Sequence, residues 1–357
     1  MRVTCIITRL PPAIDGVGDY ALHLARRLRK DFDIETHFVV GDPRWSGATQ
    51  IEGFAIAPIS EYSANALLSV LSSEPPTPVL LHYVGYGYAK RGCPVWLVDG
   101  LQRWQATAVH PSLVTMFHEV YAYGRPPWTS SFWLSPLQRT LAARLACLSD
   151  RCLTSRQGYA KQLYELSLGK HTQIPTLPVF SNLGEPTQVP PLAERQRRIV
   201  VFGSPSNRLR VYQESFAQLA LTCQILRIEE IWDVGPSTSL PLSTVNSVPV
   251  VEIGQRSASE ISDILLNSLA GFFDYHPDYL AKSGMFAAYC AHGLLPVSPR
   301  YSTLPLDGLI GGNHYWMPDD QEPVELQAIA NNAYAWYQTH NLSVHATTFA
   351  NLLGNNK

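Results

Sequence analysis

DYLAKSGMFAAYCAHGLLPVSP, residues Asp278–Pro299, is the stretch on which the reading of the fold turns. It opens with a polar segment at Lys282, Ser283 and Gly284. A short helix-like run follows, Met285 to Ala291, with alanines at 287, 288 and 291, then Gly293 and an apolar run from Leu294 to Val297. Loop, small-residue helix, glycine, strand is half of an α/β repeat, and the alanines let the helix lie close against its neighbours. A helix opening on Lys-Ser-Gly presents unbonded backbone N–H groups, a hydroxyl and one cation, a combination suited to a phosphate. The plainer alternative is an ordinary N-cap at Ser283 beside a solvated lysine.

The same alternation recurs on either side. Upstream of the stretch, strands are predicted at Arg198–Phe202, Glu230–Asp233, Val250–Ile253 and Ala270–Phe273. The first leads into Gly203 to Arg208 and a long helix at about Val211–Cys223; the next two lead into Gly235-Pro236 and Gly254; a helix at Ser259–Ser268 precedes the last. Further back, Thr176–Leu192 has four prolines and a single charge and reads as a linker. Before it the chain runs from a strand at Val3–Thr8 through a loop, Arg9–Gly18, to a helix from Asp19 and a strand at Ile34–Val40. Ala21, Leu24, Ala25 and Leu28 fall on one face of that helix, and Asp19 is its expected cap. Strands at Pro78–Tyr83, Leu113–Phe117 and Arg151–Thr154, and helices at Leu137–Leu148 and Ser155–Leu166 (capped at Ser155), complete the first half. Helical segments fill Glu325–Phe349.

Composition bounds the function. The chain has 357 residues, 46% hydrophobic and 16% charged, enough for about two domains with large cores. Its net charge of −2 argues against a nucleic-acid partner. The six cysteines are scattered, with no Cys-x-x-Cys and no zinc spacing, so they read as thiols in a reducing compartment. The N-terminus lacks a signal-peptide pattern, and no apolar run approaches the ~20 residues of a membrane span. A cytoplasmic protein is expected, at most peripheral to the inner face of a membrane.

Several residues carry chemistry. Gly16-Val17-Gly18 follows the first strand, but Ala21 stands where a dinucleotide fingerprint needs its third glycine. A nicotinamide enzyme is therefore disfavoured, and simple turn chemistry is the alternative role for these glycines. Two strands deliver a histidine to their carboxyl ends: His82, and His118 with Glu119 beside it. Ligands of open α/β sheets sit at that edge, and histidine serves there as hydrogen-bond partner or base. Tyr121–Leu134, with Tyr123, Trp128 and Trp133, reads as a mobile aromatic loop suited to a sugar face or a lipid, or as a surface loop packed on itself. Asp31-Phe32-Asp33 is the one Asp-x-Asp and reads as solvated carboxylates.

In that order the motifs resemble the GT-B fold and, in detail, family 4-type (group 1) glycosyltransferases. DGVGDYALHLARRL is similar to the family's glycine loop and helix, and FHEV at 117–120 to its strand ending in His-Asp or His-Glu. VFGSPSNR at 201–208 lies where the family carries Gly-Arg and a downstream basic residue. KSGMFAAYCAHGLLPV is similar to its donor helix and Ala-x-Gly-x-Pro-Val ending, one residue longer between Gly293 and Pro296. The family's two glutamates, eight positions apart, fall on Ala288 and Leu280, neither of which hydrogen-bonds a hydroxyl.

The resemblance implies an α/β chain of two doubly wound Rossmann-like domains facing a central cleft. An acceptor-side domain would span 1–185 and a nucleotide-sugar domain 186–330, with a helical segment, 331–357, crossing back. It implies transfer of a sugar from a nucleotide-diphosphate donor to a saccharide, lipid or other small acceptor, with retention, and a hexosyltransferase as the enzyme type. Arg208, with Arg210, and Lys282 are expected to neutralise the leaving phosphate, helped by Ser283 and Gly284 and by Gly203, without a metal. Glu252 and Gly254 are candidates for lining the pocket of the nucleoside base. Asp15, Gly16, Gly18, His82, His118 and Glu119 are expected at the acceptor side, the two glycines doubling as phosphate contacts and His118 as a catalytic group. The nucleotide-sugar is a co-substrate, and no other cofactor is expected. The aromatic loop and the arginines at 26, 27 and 29 are the features suited to an anionic membrane; a solvated face is the alternative. Rival readings are a catalytically inactive GT-B partner protein, a GT-B nucleotide-sugar epimerase and a two-lobed solute-binding protein, the last disfavoured by the missing export signal.

Overall fold

The computed structural model describes residues 1–73, 77–108, 112–122, 126–239, 243–318 and 325–354. Tyr123 of the aromatic loop lies outside the described residues. The chain divides into two compact units, Met1–Pro178 with Leu342–Lys357, and Val179–Asn341.

The first unit is a seven-stranded sheet of β1 (Arg2–Ile7), β2 (Glu35–Val40), β3 (Gln50–Ile51), β4 (Phe54–Pro58), β5 (Val79–Tyr83), β6 (Leu113–Phe117) and β7 (Arg151–Thr154). The order is β3-β4-β2-β1-β5-β6-β7, parallel except for the β3–β4 hairpin. Its helices are α1 (Gly16–Phe32), α2 (Ala64–Ser73), α3 (Gly85–Tyr88), α4 (Val95–Thr107), α5 (Ser130–Leu148) and α6 (Gln157–Leu166). β1, β5 and β6 read as apolar runs because helices cover both faces of a parallel sheet, and β5 and β6 are buried along their whole length. Strand order reverses between β1 and β5, so the ligand edge of this sheet is at the ends of those two strands.

The second unit holds α7 (Pro205–Glu214), α8 (Phe216–Ile225), α9 (Ala258–Leu266), α10 (Gly284–Ala291) and α11 (Leu326–Gln338). Its strands are β8 (Gln196–Phe202), β9 (Glu230–Val234), β10 (Thr244–Val245), β11 (Val248–Gly254), β12 (Ser268–Phe272) and β13 (Leu295–Val297), in the order β10-β11-β9-β8-β12-β13. Here the reversal falls between β8 and β12. The opening stretch is α10 followed by β13, and every residue from Phe286 to Ala291 is buried. A Cβ on Gly271 of β12 would meet the Tyr289 ring at 2.6 Å, so glycine lets this helix lie on the sheet. The Tyr289 hydroxyl then donates to Val200 O (3.1 Å) and accepts from Phe202 N–H (3.1 Å), which ties α10 to β8.

The final helix, α12 (Leu342–Leu352), belongs to the first unit, whereas α11 belongs to the second; the turn at Thr339–Asn341 breaks the helical segment read from the sequence. Other departures have local causes. α1 begins at Gly16, not Asp19, because Asp15 Oδ1 accepts from the amides of Val17 (2.9 Å) and Gly18 (3.0 Å). The α6 cap is Arg156 without a side-chain bond, not Ser155. The long helix expected over Val211–Cys223 starts earlier, at Pro205 behind the Ser204 cap, and breaks at Ser215 into α7 and α8. The last five residues of the expected aromatic loop, 130–134, are the start of α5, capped by Thr129.

Candidate functional site

At the carboxyl edge of the second sheet, the 3-10 turn Pro277–Lys282 delivers the chain to α10. Ser283 is the N-cap, its buried hydroxyl accepting from Phe286 N–H at 3.2 Å. The first amides of a helix have no intrahelical acceptor. Among the described residues those of Gly284 and Met285 meet none, and a Cβ on exposed Gly284 would stand in open space. Lys282 is half-buried, its ammonium 5.7 Å from the Tyr279 ring centroid. Gly203, with φ +130°, turns the chain out of β8, and a Cβ there would approach Met285 Sδ at 3.8 Å. The Gly203 turn and the start of α10 are therefore neighbours at the switch point.

Two arginines at this edge, Arg208 and Arg300, are tied to carboxylates that the sequence reading did not single out. Asp274, two residues past β12 and buried, accepts from Arg300 and from Ser215 Oγ (2.9 Å), while Arg210 donates to its backbone carbonyl at 3.4 Å. Arg208 corrects the expectation of an exposed phosphate clamp. It is fully buried, ion-paired with Asp233 at the end of β9, and bonded to the carbonyls of Gly203 (3.0 Å) and Pro236. A buried guanidinium must be matched by charge and acceptors, and α7 aims it at the β9 end, where both exist. Burial pushes the Asp233 carboxyl above its ordinary range, against the pull of Tyr212 and Arg208. Glu252 is exposed on β11, in register with Asp233, and Gly254 ends that strand at φ +76° with open space where a Cβ would stand. Ala288 and Leu280 lie in the apolar interior, so a carboxylate at either position would be buried.

The carboxyl edge of the first sheet is built differently. Asp15 uses both carboxylate oxygens: Oδ1 caps α1, and Oδ2 accepts from Thr8 Oγ1 at 2.8 Å. The helix N-terminus at Gly16 and Gly18 thus carries its own anion, which corrects its reading as a phosphate seat. Gly18 is needed for packing, because a Cβ would meet the Arg9 carbonyl oxygen at 2.0 Å. His82 is fully buried and so is not available to touch an acceptor; its Nδ1 lies 3.0 Å from Nε2 of His118, which is 8% exposed. Tyr20 packs edge-on against both rings, and its hydroxyl lies 2.7 Å from Nδ1 of His345 on α12. His345 Nε2 lies 2.9 Å from the Pro178 carbonyl. A carbonyl only accepts, so Nε2 carries the proton and Nδ1 accepts from Tyr20. Burial holds His345 neutral, its pKa drawn down to about 4, and burial together with His345 draws His82 to about 3. Glu119 follows His118, partly buried.

Asp233 and Asp274 had a signal, a carboxylate just past an apolar parallel strand, whereas Tyr20 and His345 meet across 325 residues and had none. The expected basic face of α1 is spoken for. Arg26 pairs with Glu52 (2.5 Å), Arg27 with Asp31 (2.5 Å), and Arg29 donates to Glu52 O (3.0 Å).

No family model matches the chain, and no curated protein matches it by sequence. Solved structures do. Sucrose-phosphate synthase from Thermosynechococcus elongatus superposes with a TM-score of 0.62 at 11% identity, over 98% of each chain. An alpha-glucosyltransferase, AGT, in complex with UDP gives 0.59 at 10% identity over 99% of each chain. WaaG, a glycosyltransferase involved in lipopolysaccharide biosynthesis, gives 0.57 at 12% identity over 99% of each. The fold is GT-B. In this GT-B chain each unit is one doubly wound sheet with its own switch point, and the two edges described above are the candidate sites. No helix among the described residues is long and apolar enough to cross a membrane.

Proposed function

We propose that this GT-B protein is a glycosyltransferase that moves a sugar, of hexose type, from a nucleoside-diphosphate donor to a saccharide or lipid-linked acceptor. The observation that carries the reading is the second switch point, where the unmet amides of Gly284 and Met285 stand with Lys282 beside the Gly203 turn. Phosphate oxygens suit such a helix start, and one GT-B neighbour is described in complex with UDP. In this reading the diphosphate lies on Ser283-Gly284, and Lys282 and Arg210 meet the charge that develops on the leaving phosphate, without a metal. Arg208 acts through the Gly203 turn that it holds, not by contact. Glu252 and Gly254 border the nucleoside. The acceptor engages the first unit at His118 and Glu119, with His82 positioning His118, and transfer proceeds with retention. The enzyme works in the cytoplasm, where its six unpaired cysteines remain thiols.

One observation favours a second reading, an inactive GT-B partner protein. The positions of the family's two glutamates are held by Ala288 and Leu280, both buried, so no carboxylate there can hold the sugar or the ribose. A thermal-shift series on the purified chain with UDP, GDP, ADP, CMP and dTDP, with and without magnesium, separates the two. A ligand that binds only the folded state raises the melting temperature by mass action. A shift with one nucleoside diphosphate, equal with and without magnesium, is expected. No shift with any of them, up to millimolar ligand, favours the partner protein.

A further inference from the structure

The first two turns of α5 are apolar on their outer face as well. Gln138, Leu141, Ala142 and Leu145 are buried, while Phe132, Trp133 and Leu137 on the first two turns are exposed. Trp133 is 72% exposed, and Trp128, just before the Thr129 cap, is 84% exposed. This is no loose tail. Buried Gln138 accepts from Ala122 N–H (2.9 Å) and donates to Arg91 O (2.8 Å) and to the Tyr86 hydroxyl (3.2 Å), and Tyr86 also bonds Ser131 (2.9 Å). The same bonds place exposed Tyr86, Lys90 and Arg91 beside the exposed face of the helix, and Arg139 follows one turn on. Residues 84–98 and 126–149 contain no aspartate or glutamate, and Asp99, the next residue, is paired with Arg144 further along α5 (2.7 Å). The arginines of α1, by contrast, are each met by an acidic partner or carbonyl.

We propose that this face, formed by Trp128, Phe132, Trp133 and Leu137 with Lys90, Arg91 and Arg139 at its rim, docks the protein on an anionic lipid bilayer. Indole rings with one polar N–H settle at the level of the lipid headgroups, where one edge stays wet and the rest is apolar. A helix start presenting apolar side chains with cations beside them lies in that interface, and each cation adds attraction to acidic lipid. A protein partner of this charge would need an acidic surface with pockets for two tryptophans; a bilayer needs only negative charge. The proposal does not rest on the donor site.

The test is co-sedimentation of the full chain with vesicles of phosphatidylcholine alone and of phosphatidylcholine with phosphatidylglycerol, at low and high salt. Binding only to the anionic vesicles, weakened by salt, is expected. The variant Trp128→Ala/Phe132→Ala/Trp133→Ala should lose about tenfold or more in vesicle affinity, with an unchanged melting temperature. Lys90→Glu/Arg91→Glu/Arg139→Glu, which leaves the packing alone, should lose at least as much. Absence of binding, binding indifferent to lipid charge, or full affinity in the charge-reversed variant overturns the proposal. So does a lipid-free dimer of the wild-type chain that the tryptophan variant abolishes, because the face would then belong to a second copy.

Discussion

The two sheets share a parallel, doubly wound plan, yet their carboxyl edges differ in how completely they are filled. At the first, Asp15 occupies the start of α1, Tyr20 bonds His345 of α12, and buried His82 bonds His118 through Nδ1. At the second, a buried pair, Arg208 and Asp233, supports an edge whose helix start keeps amides unmet and whose Gly284 faces open space. Polar groups that close on each other contribute stability and select one conformation; groups left open are available to a ligand. Substitutions at the first edge should therefore be read in folding free energy, and those at the open part of the second in affinity.

The largest effect tests what lies beneath the open edge. Asp233→Ala leaves the Arg208 charge buried without its carboxylate, and denaturant unfolding should show a loss of about 3–5 kcal/mol. A loss under 1 kcal/mol would mean that the pair is not what holds that edge.

The next concerns the closed edge and pH. His345 is held near 4, below the ordinary value of 6.5. Its folded-state pKa is depressed, so the unfolded chain takes the proton first as pH falls. The stability it contributes is full above pH 6.5 and declines toward pH 4, by on the order of 3 kcal/mol. His82, near 3, and His292 in the second unit, near 4, slope the same way. Unfolding free energies from pH 7 to pH 4 should therefore fall less steeply in His345→Gln than in the wild type. Equal slopes would show that the first edge is open to water.

A smaller loss, about 1–2 kcal/mol, is expected for Asp15→Ala, which removes the α1 cap and the partner of Thr8. If that variant also bound nucleoside diphosphate less well, the first helix start would be a ligand seat after all. The smallest change in stability should come from Lys282→Ala, within about 0.5 kcal/mol, with affinity for the nucleoside diphosphate down about tenfold. Unchanged affinity, measured by calorimetry, would remove Lys282 from the phosphate site and erase the contrast between the edges.

Much of the architecture was legible in the chain itself. Apolar strands of parallel type, each followed by a glycine or a polar turn, announce doubly wound sheets, and Asp278–Pro299 is the loop, helix and strand that it reads as. Helix limits were less so. A cap two to four residues upstream, as at Asp15, or a buried hydroxyl interrupting a helix, as at Ser215, depends on partners that periodicity does not display. Edge pieces such as the β3–β4 hairpin are too short to pattern.

The sequence by itself determined the two α/β units, the strand ends that carry glycines and polar groups, and the apolar character of Leu280 and Ala288, because these follow from local periodicity and residue type. Only the tertiary structure decided which charges are spent. Arg208 reads as a surface cation until Asp233 is seen against it, and His82 reads as a site residue until burial and His118 enclose it. The deciding partners lie 25 and 36 residues away, and 325 residues away for Tyr20 and His345. The energy of a polar group is set by what stands within a few ångströms of it, and chain folding, not chain order, brings those neighbours together.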